Sequence, residues 1–344
     1  MPEDRQVVVF NGLLSIAQWT IIRVDDLGAT GEVEHLLMQR AFHVRILVIV
    51  NTRSGGGDAG LYDFVRVLGG SGAEITMRFC DGDRVLGDLV HDAMHFDRVV
   101  AAGGDGTASA VCYAMRDSGV PVLVYPAGTA NLLAQNIGMP VEPRHLAETT
   151  LQGRVTNFDL GELELPSGVG DGVTKRGFTI LAGAGYDASI VEGAKPMKAN
   201  IGAAAYWVSA VSNLMPTAAH FHIELDGQEL VTDGIGVLIV NFAKLQFDVP
   251  VALGADPRDG LFQVAVIRPR NVAELFPAVV ASISGADRLP GIDVYVAARV
   301  KVSAKPPLPI QYDGEMLDAV TPFTARVLPH AASLLLPPDS IYAE

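Results

Sequence analysis

Cysteine is nearly absent from this sequence: Cys80 and Cys112 are the only two in 344 residues. Two are too few for a disulfide framework, and the pair lacks metal-ligand spacing, so both read as core thiols in a reducing compartment. Positive charge is also scarce. With 25 Lys and Arg against 39 Asp and Glu, the net charge is −14. That argues against nonspecific nucleic-acid binding, which needs a basic surface to displace counterions. It does not exclude a phosphate ligand, because backbone N–H groups and Mg²⁺ can hold phosphate locally. Long hydrophobic runs are missing as well. The apolar parts of 7–24 are broken by Asn11, Gly12, Ser15, Gln18 and Arg23, whereas a span needs about 20 continuous apolar residues. The start has no basic segment followed by an apolar one and a small-residue cleavage site. The expectation is a soluble, cytoplasmic chain without a transmembrane segment, one that reaches a membrane only from its surface.

What is present suffices for a sizeable core, since 49% of residues are hydrophobic and 19% charged. At roughly 150 residues per domain, the length suggests two domains. Residues 1–43 form an N-terminal extension whose role the sequence does not reveal, with a polar stretch at 25–34. Residues 44–50 are a short β-branched run of the kind buried in parallel sheets. Strands are predicted at 73–79, 97–102 and 120–125, and helices at 84–95 and 108–116. This alternation predicts a doubly wound α/β domain over 44–154.

Beyond residue 154 the rhythm changes to short alternating runs at 155–165, 177–182, 220–225, 235–241, 262–267, 294–302 and 323–327. Asp226-Gly227, Asp259-Gly260 and Asp313-Gly314 supply turn signals. Helical insertions are predicted at 199–214 and 271–284. The result is a second, β-rich, sandwich-like domain over 155–329.

Gly103-Gly104-Asp105-Gly106-Thr107 follows a predicted strand and precedes a helix. In open α/β sheets ligands bind at the carboxyl ends of strands. Glycines let the backbone approach phosphate oxygens, and the helix start offers unpaired N–H groups. Asp105 is too acidic to touch phosphate directly; it would act through Mg²⁺ or a proton. The spacing is neither a Walker A loop nor G-x-G-x-x-G. Pro126-Ala127-Gly128-Thr129-Ala130-Asn131 is a second glycine loop after a strand, and Asn51 to Gly57 a third. Either could be an ordinary turn or helix cap alone; three at one sheet edge point to a nucleotide site. Asp256 and Asp259 stand three apart around a turn and could supply hard oxygen ligands or form a plain Asp-Gly turn. Asp313-Gly314-Glu315 could aim a carboxylate into a cleft or lie in a surface hairpin. Lys195 and Lys198 could face an anionic membrane surface or phosphate, or begin a solvated helix.

In this order the motifs resemble the diacylglycerol kinase catalytic-domain superfamily, which includes bacterial lipid kinases and sphingosine and ceramide kinases. The resemblance is carried by Asn51, Ser54 and Gly55, by 103–107 and by 126–131. Farther on it is carried by Gly183-Ala184-Gly185-Tyr186-Asp187, by 198–206 with Gly202, by Asp256, Asp259 and Leu261, and by 313–315. It implies a two-lobed kinase with its active site in the cleft between lobes, and a last segment, at about 330–344, that returns to the first lobe. ATP would lie on Asn51, Ser54, Gly55, Gly103, Gly104, Gly106, Thr107, Thr129 and Asn131. Asp105 would organise catalytic Mg²⁺, Glu315 would be the general base with Asp105 its rival, and a lipid from the inner membrane surface would be the acceptor. A structural Mg²⁺ would sit on Asp256, Asp259 and the Leu261 carbonyl. A homodimer is left open. A NAD kinase-like enzyme with a soluble acceptor, or a non-catalytic nucleotide or lipid binder, would be the alternatives. Thr52 replaces the usual proline, Leu132 stands where many relatives have Asp, and Arg78 falls near the place of a nucleotide-contacting threonine.

Overall fold

The computed structural model describes residues 6–10, 19–23, 44–54, 59–80, 86–166, 172–185, 218–242, 255–268 and 290–343. The predicted insertions at 199–214 and 271–284, with Gly55, Lys195 and Lys198, lie outside them. Within the N-terminal extension, β1 (Gln6–Phe10) and β2 (Trp19–Arg23) pair antiparallel, from Gln6 opposite Arg23 to Phe10 opposite Trp19.

The first lobe alternates as its hydrophobic pattern requires. β3 (Arg45–Asn51) leads to helix α1 (Ala59–Gly70), then to β4 (Glu74–Cys80) and the short helix α2 (Leu86–Val90). β5 (Arg98–Gly103) feeds α3 (Asp105–Ala114), and β6 (Val122–Pro126) feeds α4 (Leu132–Asn136) and α5 (Pro143–Gln152). The four strands are parallel in the order β4-β3-β5-β6. Ile46, Leu47, Val48 and Ile49 of β3 are fully buried, because helices cover both faces of such a sheet. Edge strand β4 is only half-buried.

The predicted helix over 84–95 is interrupted. Arg78 of β4 donates to the Leu89 carbonyl (2.6 Å) and grips Asp92 with both terminal nitrogens (2.5 and 2.8 Å). A carbonyl that would extend the helix is thereby taken, and a 3₁₀ turn at Ala93–His95 follows.

The second lobe is an antiparallel sandwich. Its strands are β7 (Arg154–Pro166), β8 (Val173–Phe178), β9 (Leu181–Gly185), β10 (Ala219–Leu225), β11 (Gln228–Gly234), β12 (Gly236–Val240) and β13 (Phe262–Ile267). β14 (Ile292–Ala297), β15 (Arg299–Lys305), β16 (Pro309–Tyr312), β17 (Glu315–Val320) and β18 (Phe323–Leu336) complete it. One sheet runs β14-β13-β12-β9-β16-β17. The other contains β11, β10, β15, β18, β7 and β8, and it is continuous with the first lobe because β18 also pairs parallel with β6 at Leu334 and Val122. Phe178 and Phe262 stack between the sheets at 5.5 Å between centroids, in a core with Phe221, Val237, Ile239, Val300 and Val302.

Two predicted strands prove to be pairs of strands. The run 177–182 breaks after Phe178, where the N–H groups of Thr179, Ile180 and Leu181 turn to the Asp313 carboxylate. The run 294–302 crosses from one sheet to the other at Ala298. There Asp226 accepts the N–H groups of Ala298 (3.0 Å) and Arg299 (2.8 Å). The runs 323–327 and 332–336 join as one strand with a bulge, and His330 lies in it with φ of 52°.

Candidate active site

Because β3, β5 and β6 are parallel neighbours, the loops that follow them emerge at one edge of the sheet. They are stitched together there. Asn51 Nδ2 donates to Thr107 Oγ1 (2.8 Å), Gly104 N–H to Ser54 Oγ (3.4 Å), and Ala127 N–H to the Gly103 carbonyl (3.0 Å). The glycines are where side chains have no room. A Cβ on Gly103 would stand 2.5 Å from the Thr107 side chain, and one on Gly128 would overlap the Cα of Gly104. Asn131 occupies the left-handed region (φ 51°) and spends both ends of its amide inside the loop, accepting from Gly128 N–H (2.8 Å) and donating to the Gly128 carbonyl (2.9 Å). It therefore shapes the rim, while Thr129 is exposed at its mouth.

The helix starts earlier than predicted, so Asp105, Gly106 and Thr107 form the first turn of α3. Asp105 accepts the N–H of Leu133 (3.0 Å) at the start of α4. Burial pushes its carboxyl upward, and the N–H groups of Leu133, Leu132 and Asn131 pull it back. Leu132 packs against the hydrophobic core and adds no charge. Arg78 is committed to Asp92 and Leu89.

Glu315 reaches this rim from the other lobe. It opens β17, and its Oε1 lies so close to Gly106 that a Cβ there would overlap it. The Tyr312 hydroxyl donates to its Oε2 (3.4 Å). The structure thus brings Asp105, Gly106 and Glu315 together, although more than 200 positions separate them in sequence.

Sequence reasoning missed the residue beside it. Asp313 is 6% exposed and lies at the centre of a polar cluster. Its Oδ2 accepts from the Ser109 hydroxyl of α3 and the Thr179 N–H (2.7 Å), with the Thr179 hydroxyl 3.2 Å away. Its Oδ1 accepts from Ile180 (2.8 Å) and Leu181 (3.0 Å) N–H. Burial pushes this carboxyl up against those donors. The Asp-Gly pair signalled a turn, but nothing near it in sequence signalled Ser109.

Asp256, Asp259 and Leu261 lie on a different turn, where nearby protein donors reach the two carboxylates. Both Asp256 oxygens face the Arg258 guanidinium (3.0 and 3.3 Å), and Asp259 accepts the Leu261 N–H (2.8 Å). Buried Asp159 of β7 accepts the N–H of Gly260 (2.7 Å) and of His330 (2.7 Å). Among the described residues no group of three or more His, Cys, Asp or Glu is placed to hold a metal ion. Arg258 faces Asp256 alone, while burial and the neighbouring charges of Asp256 and Asp159 push the Asp259 carboxyl up.

An α/β lobe with stitched glycine loops thus faces a carboxylate from a β-sandwich lobe, a two-lobed fold with its candidate site where the lobes meet. Comparison with known proteins makes the assignment specific. Residues 45–163 match the diacylglycerol kinase catalytic domain, and residues 181–336 match the YegS C-terminal NAD kinase beta sandwich-like domain. The chain belongs to the diacylglycerol kinase catalytic-domain superfamily. It is 26% identical over 252 residues to a diacylglycerol kinase of Mycobacterium tuberculosis, covering 68% of this chain and 78% of that one. It is also 26% identical over 302 residues to the probable lipid kinase YegS-like protein of Klebsiella pneumoniae, covering 85% and 96%. The crystal structure of a diacylglycerol kinase from Bacillus anthracis shares the fold with a TM-score of 0.63 at 18% identity, over 86% of this chain and 98% of that one.

Proposed function

We propose that this chain transfers the γ-phosphate of ATP to the hydroxyl of a lipid of the diacylglycerol or sphingoid kind. The observation that carries the reading is the contact of Glu315 with Gly106, which sets a sandwich-lobe carboxylate against the turn best suited to phosphate. The glycine loops let the triphosphate approach the backbone, and the first N–H groups of α3 face its charge. Asp105 lacks a cationic partner among its hydrogen bonds and is pushed up by burial, so the Mg²⁺ that arrives with ATP would complete it. Glu315 accepts the proton of the acceptor hydroxyl as its oxygen attacks the γ-phosphorus, and ADP leaves. No step is assigned to the 256–261 turn.

Among the described residues no helix is long and apolar enough to cross a membrane. In this reading the protein works from the cytoplasm at the inner membrane surface, where its acceptor resides. The decisive experiment incubates the protein with γ-labelled ATP and Mg²⁺ against diacylglycerol, sphingoid bases and ceramide in mixed micelles, with NAD in a parallel arm. Label in a lipid is the expected result. Label only in NAD would replace the acceptor with a soluble one, and label in neither, with ATP still bound, would leave a binding protein.

A further inference from the structure

Asp313 is a buried carboxylate whose four donors are three backbone N–H groups and the Ser109 hydroxyl, with no cation among them. The donors come from two separate parts of the molecule. Ser109 belongs to α3, four residues after Asp105 and so about one helical turn along the same face. Thr179, Ile180 and Leu181 form the junction between β8 and β9 in the sandwich lobe. The Thr179 hydroxyl donates to Ser109 Oγ (2.6 Å), because Ser109 spends its one proton on Asp313. Asp313 therefore ties the helix that starts at the glycine loop to the lobe that carries Glu315.

The turn transmits that tie with little slack. Asp313 (φ 44°) and Gly314 (φ 82°) are consecutive left-handed residues in the tight connection between β16 and β17. Such two-residue turns have a fixed twist. Glu315 is the next residue, and its Oε1 meets Gly106. One end of the segment 313–315 is thus pinned to α3 through Ser109, and the other end rests on α3 through Gly106. Only an acceptor-only group satisfies all four donors, so asparagine would set its own N–H₂ against theirs.

We infer that Asp313, through Ser109, is a positioning residue that holds Glu315 in reach of the glycine loop. This rests on the reading of Glu315 as the proton acceptor. A misplacement of a reacting group by about an ångström can lower a rate by up to about a hundredfold, so a partial slackening should cost less.

Asp313→Asn sets an N–H₂ against two of the four donors and could simply fail to fold, so the test uses Ser109→Ala. That change removes the link to α3 and leaves the three backbone N–H bonds of Asp313 in place. Rates and KM for ATP are measured for wild type, Ser109→Ala, Glu315→Gln and the double variant, with the lipid acceptor identified in the labelling screen. Ser109→Ala should lower kcat about tenfold with KM for ATP within about twofold, and it should have less than a twofold effect in the Glu315→Gln background. An equal fall in both backgrounds, or wild-type turnover in Ser109→Ala, would overturn the positioning role while leaving Glu315 as the base. Unchanged turnover in Glu315→Gln alone would instead overturn the base assignment, and the positioning role with it.

Discussion

The sandwich lobe contains two turns with the same Asp-Gly pair and opposite fates. At 259–260 and at 313–314 the glycine takes a left-handed conformation, with φ of 76° and 82°. The carboxylates of the turn at 259–260 bond locally: Asp259 caps Leu261 and Asp256 holds Arg258, each partner two residues away, while the Gly260 N–H goes to Asp159 of the same lobe. The turn at 313–314 reaches across the molecule, since Asp313 bonds Ser109, 204 residues distant, and delivers Glu315 to Gly106. The dipeptide decides the backbone in both places. What lies opposite the carboxylate decides whether the turn is a local fixture or part of a site between lobes.

The largest expected effect lies on the glycine-loop side of this contrast. Asp105→Asn should lower phosphoryl transfer at least a thousandfold, because placing metal and phosphate carries much of such a reaction. The fold should survive: burial disfavours the Asp105 charge, and asparagine can still accept from Leu133. Activity within threefold of wild type in a γ-phosphate assay would remove Asp105 from the site. Glu315→Gln comes next, with turnover falling about a hundredfold and nucleotide affinity within about threefold. Turnover that survives in this variant, while Asp105→Asn is inactive, would pass the proton-accepting role to Asp105 and make the two Asp-Gly turns alike after all.

Gly106→Ala asks whether the contact itself matters. The new methyl meets the far end of a flexible side chain, so melting should shift little while kcat drops about tenfold as Glu315 is displaced. A variant that melts normally and turns over normally would show that the contact has no bearing on the reaction.

Glu162 separates cross-lobe links that hold the fold from those that serve the site. This β7 residue accepts from Tyr113 of α3, Lys175 (2.9 Å) and Arg326. Burial pushes its carboxyl up, but those three partners outweigh it and hold the group at about 2, below the ordinary 4.5. A depressed carboxylate contributes stability that is full above its unfolded value and is lost as pH falls from about 4.5 towards 2. Glu162→Gln should therefore cost about 2 kcal/mol at neutral pH, with the gap to wild type closing in melts taken between pH 4.5 and 2. It should leave kcat unchanged. A large loss of kcat would mean that any link to α3, and not the 313–315 turn in particular, governs the site.

The smallest effect is expected at the other Asp-Gly turn. With Arg258 facing Asp256, the melting temperature should change by no more than about 1 °C between excess Mg²⁺ and a chelator. Arg258→Ala should lower it by about 2–4 °C, as loss of a half-exposed ion pair and of its contact with the Tyr342 ring (5.1 Å) implies. A rise of several degrees with Mg²⁺ would restore the metal to this turn.

The sequence by itself determined the α/β lobe, the β-rich lobe, and the three loops at the carboxyl ends of β3, β5 and β6. Those features follow from local causes: β-branched runs such as 46–50 are legible as buried strands, and glycine with Asp or Asn marks where backbone must turn. Only the tertiary structure decided the breaks at Thr179 and Ala298. There a distant carboxylate, from Asp313 or Asp226, collects N–H groups that a strand would otherwise share with its neighbour. It also decided that Asn131 braces its own loop, that Arg78 ends α2, and that Glu315 meets Gly106. A hydrogen bond depends on which groups the folded chain brings within about 3 Å, and no spacing along the sequence records that Ser109 and Asp313 are neighbours.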